Sequence, residues 1–272
     1  MNKVKFVTVP LSVLFMSLTA HSQDLDQKKS LEIKPSILEG KDKGGSTLGL
    51  EYQFSKNLLR YDVAPANPLQ PDSFKSVTFD VAGTGTVALN SERNPKNFLD
   101  FVGSIESLYW SRNLGTFIGS LNGKFETDQS FKNKQGVFSI NATFAKRNIF
   151  VKNGFFSVDV GYGRVDPRND EARAAALQSQ KLSTFNRWEA EVLYLHRTQN
   201  PTFDTIELNY RYFSERNAPL EIRQAGIAAH KLATIRLGIK KDFFVAYSRG
   251  SLPFNRKSDQ IVQAGWSYKI QP

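Results

Sequence analysis

Along most of its length the chain alternates between apolar and polar residues. In FDTIELNYRYF, residues 203–213, Ile206, Leu208, Tyr210 and Tyr212 interleave with Thr205, Glu207, Asn209 and Arg211. Successive side chains of a strand point to opposite faces, so this stretch predicts a strand with one apolar and one charged face. The period recurs in 46–54, 116–126, 137–144, 155–163, 188–194, 233–239 and 262–270. In 137–144, for example, Phe138, Ile140, Ala142 and Phe144 oppose Ser139, Asn141 and Thr143. Weaker versions occupy 31–38, 75–89, 99–110 and 243–249. The sum is about twelve strands, most near the roughly 9–11 residues that cross a bilayer at a tilt.

The connections alternate as well. Short turns are expected near 111–115, 148–153, 199–202 and 240–242, and longer loops near 90–97, 127–135, 165–185, 214–230 and 250–259. Residues 55–73, rich in Pro and Asn, read as a long connection on the short-turn side and break the rule. DPRNDEARAAALQSQK, inside the longest loop, predicts a short helix capped by Asn169 or Asp170.

Period-two strands suit a soluble sandwich, a ligand-holding barrel or a membrane barrel, and periodicity does not separate the three. Other features do. The first 22 residues carry Lys3 and Lys5, an apolar run from Phe6 to Leu18, and small Ala20 and Ser22 before Gln23. This is the layout of a cleaved secretory signal peptide, with residues 23–272 as one mature domain. The chain has no cysteine, so an exported domain of this size lacks disulfides and thiolate metal sites. Tyr and Trp recur near strand ends, as at Tyr109, Trp110, Tyr162, Trp188, Tyr194 and Trp266, where an interfacial girdle would lie.

On these strands, loops and aromatics the chain resembles the Gram-negative outer-membrane β-barrel class. The resemblance implies an all-β fold, a single antiparallel up-and-down transmembrane barrel of about twelve strands with a short helix in an outer loop. Its apolar face would meet outer-membrane lipid and its charged face the lumen. One departure is the C-terminus, WSYKIQP, where the class usually ends on an aromatic residue.

The expected lumen holds both acids and bases. Arg187, Glu189, Glu191, Glu207 and Arg211 fall on neighbouring strands, where they either pair with one another or line a selective pore. Arg236, Lys240 and Lys269 suggest a basic wall near the C-terminus. The formal charge is +10, and Lys3 and Lys5 account for two positive charges in an acid-free leader, so the mature chain carries +8. A basic balance suits anionic partners, and export makes nucleic acid an unsuitable one. The resemblance adds that twelve-stranded channels for acidic oligosaccharides exist, with basic lumens.

Catalytic signals are thin. The mature histidines are His196, in the lipid-facing phase, and His230, at a loop boundary that also holds Ser214 and Glu215. No nucleophile-elbow, zinc-protease or calcium-loop spacing occurs, and no metal site or cofactor is predicted. The leading expectation is a channel for small solutes, anionic or acidic-sugar in kind. Behind it stand a non-conducting structural barrel with a periplasmic or surface protein partner, and a lipid-modifying hydrolase using His230.

Overall fold

The computed structural model describes residues 30–63, 73–179, 182–200, 202–240, 242–255 and 258–270. The strands are β1 (Ser30–Gly40), β2 (Ser46–Val63), β3 (Ser73–Ala88), β4 (Leu99–Ser111), β5 (Gly115–Thr127), β6 (Lys134–Arg147) and β7 (Gly154–Asn169). They continue with β8 (Phe185–Arg197), β9 (Phe203–Glu215), β10 (Ala229–Ile239), β11 (Phe243–Gly250), β12 (Asp259–Trp266) and β13 (Tyr268–Ile270). From β1 to β12 each pairs antiparallel with its neighbours in sequence, and β1 closes the ring on β12 (Ser36 opposite Gly265) and β13 (Leu31 opposite Ile270). β12 and β13 are one strand broken at Ser267, whose N–H donates to the Asp242 carbonyl (2.8 Å) and whose hydroxyl donates to Glu32 (2.5 Å). The result is a closed barrel of twelve strands, as the alternation predicts, with β2 beyond Ser55 pairing, among the described residues, with β3 alone.

The faces sort as the pattern requires. On β6, Phe138 and Ile140 are 60% and 61% exposed, whereas Ser139 and Asn141 between them are 1% and 4% exposed. A soluble protein would bury the first pair. Here the apolar side chains form the outer surface and the polar ones the interior, an inversion that only a lipid surround satisfies. Outer aromatics meet in pairs, Tyr162 tilted against Trp188 at 4.8 Å and Phe243 edge-on to Trp266 at 5.2 Å. Trp110 leaves the girdle expected of it. It shares the inward phase of Glu106 and stacks on Phe74 (5.4 Å) inside the rim.

The long connection read at 55–73 is corrected by the structure. β2 runs on to Val63 and β3 begins at Ser73, so residues 55–63 and 73 of that stretch are strand. The register shifts between Asn57 and Leu59, and this bulge flips the alternation from Leu59 onward, which hides the strand from a period-two reading. Residues 64–72 and the signal peptide read in 1–22 lie outside the described residues.

The short turns carry suitable chemistry. In the 148–153 turn Asn148 and Asn153 adopt left-handed backbone (φ 55° and 65°), and the Asn148 side chain accepts from the Asn153 N–H (3.0 Å). The predicted helix is α1 (Glu171–Leu177), capped by Asp170, whose carboxylate accepts from the Arg173 N–H (2.9 Å). A second short helix, α2 (Leu220–Gln224), lies in the 216–228 loop and buries Ile222 completely.

Candidate functional site: the barrel lumen

Two groups of ion pairs lean over the inner wall. In the first, Arg187 on β8 reaches past β7 and β6 to Glu126 on β5, donating from both terminal nitrogens at 2.8 and 2.5 Å. Arg187 also meets Glu189 (3.3 Å), which in turn pairs with Lys124 of β5. The reach depends on the wall beneath being shallow. Gly161 and Gly163 face inward on β7, and a Cβ at Gly161 would stand 2.6 Å from the Asn141 amide. Asn141 occupies that space, donating to Asp159 (2.7 Å) and Glu189 (3.3 Å). Beside this group Arg211 pairs with Glu191 (3.6 Å), which Asn209 also contacts.

The second group sits across the barrel. Arg236 on β10 reaches past β11, β12 and β1 to Glu51 on β2 (2.8 Å), and it lies 3.9 Å from Glu207. Lys34 joins Glu51 (3.3 Å) and Glu32 (3.1 Å). Burying a charge is costly unless it is paired, and the charges of both groups are paired through their carboxylates, with only Arg187 Nε and Arg236 Nε left without acceptors among the described residues.

A third cation reaches Glu51 from outside the sheet. The loop between β3 and β4 turns into the lumen, burying Asn94, Pro95, Lys96 and Phe98. Asn94 donates to the Thr86 carbonyl and to Gln129 (2.8 Å each). The Lys96 ammonium donates to Gln263 (2.8 Å) and lies 3.6 Å from Glu51. Burial pushes the Lys96 ammonium below its ordinary lysine value, with Arg236 and Lys34 adding to the push and Glu51 opposing it. Just above, Phe98 packs with Phe213, Leu232, Leu252, Ile261 and Phe254 in an apolar cluster within the outer half of the lumen. Arg211 and Arg187 lie over the Phe213 ring at 5.4 and 4.9 Å.

This is the architecture of the outer-membrane β-barrels. By that class's orientation the short turns are periplasmic and the long loops external. No protein-family model matches the chain, and no curated protein does. Among the solved structures that match is the KdgM porin, at 8% identity over 87% of this chain and 98% of that one, with a TM-score of 0.39. OmpT of Vibrio cholerae matches at 9% identity over 89% and 98%, TM-score 0.40. The β domain of the Bordetella autotransporter BrkA matches at 8% over 89% and 98%, TM-score 0.36. Likeness at this level fixes no substrate.

Of the residues singled out from sequence, Arg187, Glu189, Glu191, Glu207, Arg211 and Arg236 all face the interior and enter the pairs above. Lys240 and Lys269 do not join them. Lys240 is exposed in the turn beyond the end of β10, and Lys269 is exposed on β13, opposite Glu32 at the periplasmic rim. With Arg236 held by Glu51, the three form no continuous basic wall. His230 faces the lumen and lies 3.3 Å from the Ser251 hydroxyl through Nδ1. Glu215 is taken by Arg173 of α1 in a two-pronged pair (2.7 and 2.8 Å). Lys96 and Phe98 were invisible to strand periodicity because they lie in a loop. The nearest sequence signal is an apolar Phe98 next to the start of β4.

Proposed function

We propose that the chain is an outer-membrane channel for small solutes, narrowed by the 89–98 loop. The observation that carries this reading is the inward course of that loop, fastened through Lys96 to Glu51 and Gln263. A barrel interior lined by charged and amide side chains offers water and solutes a polar route, and a loop laid into it sets the bore. The anionic or acidic-sugar solute expected from net charge finds no continuous basic lining to support it, since Arg236 is neutralised and Lys240 lies outside the lumen.

A second reading, a barrel that acts through its surface without conducting, is favoured by the Phe98 and Phe213 cluster in the outer half. Planar-bilayer recording separates the two. The purified mature chain is expected to give small, stable current steps. Replacing residues 91–97 with a Gly-Ser linker is expected to raise the step size severalfold. If both proteins fold, as shown by heat-modifiable migration, and neither conducts, the channel reading fails.

A further inference from the structure

The inward charges of the periplasmic half divide by strand. On β3, β4 and β7 they are Asp80, Glu106 and Asp159, each facing the lumen. Their hydrogen-bond donors are neutral. Asp80 accepts from Asn57 (2.8 Å), Glu106 from Ser104 (3.0 Å), and Asp159 from Asn141 (2.7 Å) and Thr143 (2.5 Å). Among the described residues none of the three has a cationic partner within 4 Å. Farther along the arc, Glu191 and Glu207 are acidic too, and these have Arg211 and Arg236. The basic groups facing the arc are Lys124, which pairs with Glu189, and Arg60, which pairs with Asp62 (2.7 Å).

A second observation points the same way. The Ser76 hydroxyl, only 2% exposed, faces inward on β3, in register with Leu108 and diagonal to Glu106, and has no partner. The side-chain amide oxygen (Oδ1) of Asn57, opposite Asp80, is also buried without a donor. A hydroxyl and an amide oxygen without partners, beside carboxylates that have no cation within 4 Å, offer a passing cation additional acceptors. The carboxylates are too far apart to cage a metal ion; no metal-binding group of acids occurs among the described residues. They suit a hydrated or organic cation in transit.

We propose that the periplasmic half of the lumen selects small cations, with Asp80, Glu106 and Asp159 setting the preference. This is a passage of opposite sign to the chain's net charge, and it rests on the channel reading above. The test is the reversal potential of the mature chain in planar bilayers under a KCl gradient. The expected result is a potassium permeability severalfold above that of chloride. The triple change Asp80→Asn, Glu106→Gln and Asp159→Asn is expected to bring the ratio near unity while current steps persist. Glu106→Gln alone, which retains an acceptor for Ser104, is expected to lower the ratio partway and guards against misfolding of the triple variant. Steps with chloride preference, or a ratio that the substitutions leave unchanged, overturn the cation assignment and leave the channel standing. A folded barrel without steps overturns both.

Discussion

At the scale of single residues, the lumen is governed by what each buried charge leaves behind when its partner goes. Arg187 holds Glu126 through two nitrogens and touches Glu189 as well, with all three side chains almost completely buried. Arg187→Met is expected to cost about 3–5 kcal/mol, because it strands Glu126 away from water. Adding Glu126→Leu is expected to recover part of that loss, since no charge is then stranded and only the Gln135 amide loses its acceptor. Urea unfolding in detergent micelles, followed by tryptophan fluorescence, measures both; equal, additive losses would show that the pair is not coupled. The sequence reading reached Arg187 and Glu189 through strand phase alone. It could not reach their partners, because Glu126 and Lys124 lie three strands away, and a reach of that length depends on the bare backbone at Gly161 and Gly163 beneath it.

At the scale of elements, strands were legible and loops were not. Ser139 and Asn141 alternate with Phe138 and Ile140 because a bilayer and a lumen demand opposite chemistry on a period of two. No such period governs a loop, so the 89–98 segment carried no sign of turning inward, and the phase flip at the Asn57–Leu59 bulge concealed nine further residues of β2, 55–63. The helix in the 170–184 loop was visible through its cap and its alanines, but its fastening was not. Arg173 locks α1 to Glu215 of β9 and lies 4.0 Å over the Phe185 ring. Arg173→Ala is expected to free this loop without unfolding the barrel. Limited proteinase K digestion should then cut within 170–184 severalfold faster, with the heat-modifiable barrel fragment retained. Unchanged digestion would mean that α1 is held by other contacts.

At the scale of the whole molecule, the chain is basic while the inner arc from β3 to β7 is acidic, so the excess positive charge lies elsewhere, as at the exposed Lys240 and Lys269. Net charge, read from composition, therefore pointed to anions, whereas the barrel interior is lined in part by the other sign. Strand order brings the ends of the sequence together at a seam where β1 meets a strand in two pieces. The inward loop touches both sides of that seam: Lys96 reaches Glu51 on β2 and Gln263 on β12, and Asn255 donates to the Pro95 carbonyl (3.3 Å). Lys96→Met leaves Glu51 with Arg236 and Lys34, so no charge is stranded. Its expected effect is faster unfolding at fixed urea with little change in refolding, read from the time course of heat-modifiable migration. A fastening made from inside the ring, between the first strands and the last, governs how long the barrel endures more than how deep its energy well is: it acts as a clock on the closed state.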